Sequence, residues 1–438
     1  MRKKLLCMAL MMSMTVGLLT GCGTSSKSAV KSGSDSKKNG PVEVEFWYSG
    51  GKTAVNVVAD IVDEFNKSQS DYKVKCVTQA DYDETYQKVQ AGIAGGTAPD
   101  IALLDVNSSR TLNQKKVLED ISTYTKDDSD FNKDDYLDVF LNQGVDDENK
   151  TFAIPAYGTT QVLYYNKKAF KNAGIKPESI KTWQDLADAS KKITEKNKGM
   201  TGWEPMWGKD NLVDAVLSNG GSLFSDDGKT VCVNSDAWVE VWDSFKKWIH
   251  DDKIMKIHSG GQGWEYWYTT IDDVLQNKAG GYTGSSGDQA DLDFSIVGAM
   301  QQPGFGNNAP APAAEAKNLV ILKNSSDEEK KGAYEFIKYF TTPENQAKWS
   351  METGYVAVRK STQDVKEFKD YTEKNPQALV PLQQASHGSV LPTDPTGGKI
   401  YDALKVAADK VEIEGVSAKD ALDEAQKTAE EAMSSVSK

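Results

Sequence analysis

Between residues 42 and 106 the chain alternates between short runs of β-formers and longer amphipathic stretches, and this alternation limits the folds open to it. VEVEFWY (Val42 to Tyr48) alternates in polarity and reads as a strand. SGGKTAVNVVADIVDEFNKS follows as an amphipathic helix, and YKVKCVTQ as a second strand. DYDETYQKVQAGIAGG is a helix opened by Asp81, and PDIALLDV is a third strand. Strand–helix alternation predicts an α/β fold with parallel strands and crossover helices. Ligands of such sheets gather beyond the carboxyl ends of the strands. Those ends carry Tyr48, Asp81 with Tyr82, and Asp105 with Val106 and Asn107. Asp105 reads either as an acceptor for two ligand hydroxyls or as a helix cap. The glycines of Ala94 to Thr97 are not a phosphate loop, because no Gly-Lys-Ser/Thr follows.

A second organising stretch is Ile154 to Trp183, IPAYGTTQVLYYNKKAFKNAGIKPESIKTW. Val162 to Tyr165 is a short extended run of β-branched and aromatic residues. Asn166 caps a short helix that ends at Gly174, and Thr182 caps the next one. A proline, an aromatic and small polar residues in a row, Pro155 to Thr160, look like a crossing between two lobes. Its polar residues would then face a cleft, which makes Tyr157 and Thr159 candidate ligand contacts.

In order and spacing this stretch resembles the solute-binding proteins of ABC importers for sugars and related polyols. AGGTAPDI (Ala94 to Ile101), the run from Lys317 to Lys360 and the C-terminal SAKDALDEAQKTAEEAM resemble the same family, so the likeness covers nearly all of the chain after residue 40. Within it the chain is most similar to the glycerol-3-phosphate-binding branch. The resemblance implies a two-lobe α/β fold of the periplasmic-binding-protein type, each lobe a sheet flanked by helices, with three hinge crossings. Residues 41–157 with 304–353 would form one lobe, and 158–303 with 354–438 the other. It also implies a monomer that closes on a saccharide and presents it to the permease of an ABC importer whose ATPase subunits are separate chains. No metal or organic cofactor is implied.

The resemblance places ligand contacts at several positions. Tyr82 matches a ligand-contacting aromatic, although packing at a helix start would equally account for it. Seven of the ten tryptophans fall between Trp203 and Trp267. Trp238, Trp242, Phe245 and Ile249 share one helix face and read as core. Trp203 and Trp207 flank Pro205 in a glycine-rich stretch where the family has ligand-stacking tryptophans; Trp203 matches best, and a core position is the alternative. In GGQGWEYWYTT, Trp264 reads as a cleft residue and Trp267 as core. Ser286, in NKAGGYTGSSGDQ, matches a segment that lets a ligand approach backbone amides, or is simply a turn. Glu315 stands just before a strand. Gly354-Tyr355 resembles the third crossing, with Tyr355 either a ligand contact or a hinge-packing aromatic.

One departure bears on the ligand. The glycerol-3-phosphate branch carries an arginine that grips the phosphate in the later segment, whereas Ser389 to Ile400 reads SVLPTDPTGGKI. Glu315 also stands where that branch has a small residue. An anionic ligand facing a carboxylate without a bidentate guanidinium is disfavoured. A neutral saccharide is therefore expected, with glycerol-3-phosphate or a glycerophosphodiester as the alternative.

The formal net charge of −13 argues against nucleic acid and polyanion partners. Met1 to Gly21 has a basic start and a short apolar run, the pattern of a signal peptide. It ends Leu19-Thr20-Gly21-Cys22, which resembles the lipobox in which the cysteine thiol is acylated. Residues 23–40 are rich in Ser, Lys and Gly and read as a flexible tether reaching roughly 25 Å. The expected location is the outer face of the cytoplasmic membrane of a Gram-positive bacterium, held by the N-terminal lipid alone. Cys76 and Cys232 read as buried free thiols. The three histidines lack metal-ligand spacing, and there is no nucleophile elbow. A binding protein is expected, with a lipid-anchored glycoside hydrolase as the enzyme alternative.

Overall fold

Local chemistry sets most helix boundaries. The Asp81 carboxylate accepts from the Glu84 amide to open the helix Tyr82–Gly95, and Asn166 caps Lys167–Ala173, which Gly174 ends at φ 66°. Thr182 with Asp185 and Ser326 with Glu329 form reciprocal capping boxes. The computed structural model describes residues 40–262 and 264–436. The leader, most of the tether and Cys22 lie outside the described residues.

Among the described residues, nine strands fall into two sheets. They are β1 (Val42–Tyr48), β2 (Tyr72–Thr78), β3 (Ile101–Asp105), β4 (Ile154–Thr159), β5 (Gln161–Asn166), β6 (Glu204–Pro205), β7 (Gly281–Ser285), β8 (Val297–Met300) and β9 (Glu315–Ile321). The first sheet runs β2–β1–β3–β9–β4 and the second β6–β7–β5–β8. Helices flank both, giving the two-lobe α/β architecture. The first sheet is mixed, not wholly parallel: β1 is parallel to β2 and β3, but β9 is antiparallel to β3 and β4. The reason is connectivity. Helical crossovers join β1, β2 and β3, whereas β9 arrives from the other lobe and escapes the crossover constraint.

Each lobe buries its own core. Phe46, Ile61, Phe336 and Trp349 lie in the first. Trp183, Trp238, Trp242 and Phe245 lie in the second, each with no exposed surface, and Ile249 packs beside them. Val356 and Val358 belong to the first core, because Val356 exchanges backbone hydrogen bonds with Gly158. Cys76 and Cys232 are free thiols and only partly buried.

The connections between lobes are tied to one another. β4 runs into β5 through Thr160, whose hydroxyl donates to the Ala313 carbonyl at 2.8 Å. Gln384 donates to that hydroxyl at 2.7 Å and accepts from the Gln302 amide at 2.7 Å. Asp214 accepts from Gln302 Nε2 at 2.6 Å and from the Ala313 amide at 2.8 Å. Thr160, residues 302–313 and Gln384 lie on separate passages of the chain, so the hinge is one hydrogen-bonded unit.

Candidate functional site

The adjacent strands β3, β9 and β4 bring three chemical groups into one row. Asp105 faces Lys317 in the β3–β9 register, and Lys317 faces Tyr157 in β9–β4. Two residues along β9, Glu315 faces Thr159. The period of two puts Glu315 and Lys317 on the same side, and Lys317 Nζ lies 3.3 Å from Glu315 Oε2. The ammonium also sits 4.8 Å from the centre of the Tyr82 ring. Burial opposes the charge on Lys317, but Glu315, Tyr82 and Asp105 outweigh it and hold the ammonium protonated.

Tyr82 Oη lies 2.6 Å from Tyr157 Oη. The Tyr157, Trp349 and Tyr355 rings form a three-membered cluster, with Tyr157 4.7 Å from Trp349 and 4.6 Å from Tyr355, and Trp349 stacked on Tyr355 at 6.2 Å. Tyr355 can come this close to the second lobe because residue 287 is glycine: a Cβ there would lie 2.4 Å from its ring. Ser286 is fully buried and donates its amide to the Thr160 carbonyl, and its hydroxyl lies 3.4 Å from that of Thr159.

The facing wall belongs to the second lobe. The helix Lys209–Leu217 starts at Gly208, whose φ of 109° suits only glycine and whose amide donates to Glu412 Oε2 at 3.0 Å. Lys209 pairs with Asp210, and its Nζ lies 5.2 Å from the Tyr401 ring centre. The Lys209 ammonium holds the Asp210 carboxyl below the usual carboxylate range. Trp207 donates to Asp409 Oδ1 at 2.7 Å and meets Tyr266 edge-on at 5.1 Å. The two walls feel each other's charge: Asp210 senses Lys317, Lys209 senses Glu315, and Asp83 senses Lys405. Lys209 and Asp210 nevertheless keep 24% and 66% of their side-chain surface exposed, as groups on the wall of a wet gap would.

Of the residues singled out in the sequence, Tyr82, Asp105, Tyr157, Thr159, Ser286, Glu315 and Tyr355 come together here, and Trp207 stands on the opposite wall. Asp105 also caps the helix Val106–Gln114, accepting from the Ser108 amide at 2.9 Å and its hydroxyl at 2.5 Å. Tyr48 does not join them. It is 2% exposed and stacks on Phe46 at 5.2 Å, because the period of two sets it on the face of Val44 and Phe46. Trp203 is fully buried beside Phe170 and donates to Thr283 Oγ1 at 3.0 Å. The glycine-rich stretch contains the edge strand β6 directly after Trp203, and Gly281 leaves the space that the indole fills. Trp264 is 47% exposed, edge-on to Trp267 at 5.7 Å and apart from the cluster.

Lys209, Asp210, Lys317, Tyr401 and Arg110 escaped the sequence reading. The Glu-x-Lys spacing on a strand was a usable sign for Lys317. Arg110 had none. Its Nη1 donates to the Leu391 carbonyl at 3.1 Å, across 281 positions of sequence. The segment read as lacking an arginine thus receives one from the other lobe.

Comparison with known proteins places this geometry in context. Residues 60–376 match the family described as bacterial extracellular solute-binding protein. The sn-glycerol-3-phosphate-binding periplasmic protein UgpB of Yersinia pestis is 27% identical over 374 residues, covering 80% of this chain and 82% of that protein. UgpB from Mycobacterium tuberculosis, solved with glycerophosphocholine, superposes with a TM-score of 0.78 at 22% identity, over 91% of this chain and 99% of that one. An ABC substrate-binding protein from Listeria monocytogenes, solved with cycloalternan, gives 0.78 at 21% identity, over 90% and 99%. The GacH receptor of Streptomyces glaucescens, solved unliganded and with acarbose, gives 0.79 at 19% identity, over 90% and 99%.

Proposed function

Because this chain belongs to the bacterial extracellular solute-binding protein family, we propose that it captures a neutral, hydroxyl-rich solute, a sugar or oligosaccharide, between its lobes and delivers it to the permease of an ABC importer. It is a binding protein, not an enzyme. One observation carries the choice of ligand. Two ion pairs line the facing walls, Lys317 with Glu315 and Lys209 with Asp210, beside the rings of Tyr82 and Tyr401. Paired charges offer donors and acceptors to hydroxyls while leaving little net charge for an ionic ligand. Aromatic faces take the C–H surface of a pyranose. Tyr355, Trp207 and Thr159 complete the proposed contacts.

Arg110 supports a second reading. No carboxylate pairs with it among the described residues, and it lies within the field of Tyr401 and Glu315. A single phosphodiester charge would suit it. Calorimetry and tryptophan fluorescence with mono- and oligosaccharides, glycerol-3-phosphate and glycerophosphodiesters decide between them. Saturable sugar binding, weakened at least about tenfold in Trp207→Ala, supports the first reading. Binding of the phosphate esters alone, lost in Arg110→Ala, replaces it with the second.

The lipobox ending in Cys22 and the tether after it support acylation at the N-terminus and a place at the outer face of the cytoplasmic membrane. No helix among the described residues is long and apolar enough to cross a membrane. Cys22→Ala should release the protein into the medium and abolish incorporation of a fatty-acid label; retention of the label refutes the anchor.

A further inference from the structure

Away from the interlobe walls, the second lobe holds a cluster of one imidazole and two carboxylates. Glu204 comes from β6, His258 from the segment after Met255, and Asp273 from the helix Glu265–Leu275. Met255 bridges to Trp203, and the Lys256 amide donates to the Trp203 carbonyl, which fixes that segment beside β6. The candidate ligand atoms of Glu204, His258 and Asp273 all lie within 4.8 Å of one another. His258 Nε2 is 2.9 Å from Asp273 Oδ2 and 3.5 Å from Glu204 Oε2. Donors bound at about 2.1 Å around a tetrahedral ion stand about 3.4 Å apart, so the His258–Glu204 spacing already suits a bound cation and the His258–Asp273 hydrogen bond need open by only about half an ångström.

The second observation is Glu204 itself. It has no exposed surface, and neither carboxylate oxygen has a hydrogen-bond partner. A buried carboxylate without donors is costly unless a cation meets it. Lys278 Nζ lies 3.3 Å from Asp273 Oδ1, and the ammonium nearest Glu204 is that of Lys256, whose Nζ lies 3.7 Å from Glu204 Oε1, 3.3 Å from Asp273 Oδ2 and 3.0 Å from His258 Nε2. That side chain is 47% exposed, so its ammonium can withdraw to water and yield its place.

We propose that Glu204, His258 and Asp273 form a binding site for a first-row divalent cation of the zinc type, with Lys256 as the displaceable internal cation. One imidazole and two carboxylates are a nitrogen–oxygen donor set that such ions accept. The site joins β6, three residues before Trp207, to the helix that carries Tyr266. A bound ion would therefore staple together the two segments whose rings meet edge-on in the cleft wall.

The test is zinc chloride titrated into the purified, chelator-treated protein, followed by calorimetry and thermal melting, with cobalt chloride as a spectroscopic probe. Saturable binding of one zinc per chain, a raised melting temperature and visible cobalt absorption bands are expected. His258→Ala should weaken zinc binding by at least about 100-fold. Glu204→Gln preserves volume and should remove the zinc-dependent rise in melting temperature. Lys256→Met should tighten binding several-fold. Failure of the wild-type protein to take up zinc saturably overturns the site, and so does uptake that survives both His258→Ala and Glu204→Gln. Sugar titrations leave this result untouched, so the two proposals stand or fall separately.

Discussion

At the scale of residues, the two indoles on either side of Pro205 have opposite tasks. Trp203 fills the core and Trp207 stands at the cleft wall. Trp203→Ala should cost about 3–5 kcal/mol of stability while the folded fraction binds ligand as before; denaturant melts and calorimetry separate the two effects, and a stable variant with impaired binding would refute the assignment. The sequence could not divide this pair, because burial of the first depends on a two-residue strand and a glycine 78 positions away. Asp214 supplies the pH dependence. Burial pushes its carboxyl up to about 8 from the ordinary 3.8. A carboxyl whose folded pKa is raised favours the fold while protonated. Its contribution is therefore full below the unfolded pKa and is lost as pH climbs towards 8. Asp214→Asn cannot ionise, and it also loses one acceptor for the Gln302 or Ala313 N–H; it should be less stable outright, but its stability should fall less over that window, by on the order of a few kcal/mol. Parallel pH–stability curves for the two proteins would contradict this.

At the scale of elements, the caps were legible because their chemistry is local: Asp81, Asn166, Thr182 and Ser326 each bind an amide three positions ahead. The strands β1, β5 and β9 showed in their β-former content for the same reason. The order of strands did not, because β9 inserts between β3 and β4 from a distant part of the chain. Glycine positions carried information that only packing decodes. Gly287→Ala would drive a methyl to within 2.4 Å of the Tyr355 ring and push it off Tyr157. A cost of about 1–3 kcal/mol and about a tenfold loss of ligand affinity are expected. Unchanged affinity would show that the stacked pair plays no part in binding.

At the scale of the whole molecule, the hinge is bonded through Thr160, Gln302 and Gln384, and the expected motion is two cores turning about it as bodies. Ligand should favour the closed arrangement, and small-angle scattering should report a smaller radius of gyration on saturation. An identical radius at full occupancy would exclude hinge closure. The threading that makes the hinge also imposes a timetable. β3 and β4 are neighbours only through β9, and β9 ends at Ile321. A chain emerging with its N-terminus first therefore cannot complete its first sheet until three-quarters of its length is available. Until then β3 and β4 have unpaired edges and nothing to close on. The topology would delay completion of the first sheet until β9 is available, a delay that suits a member of an extracellular family.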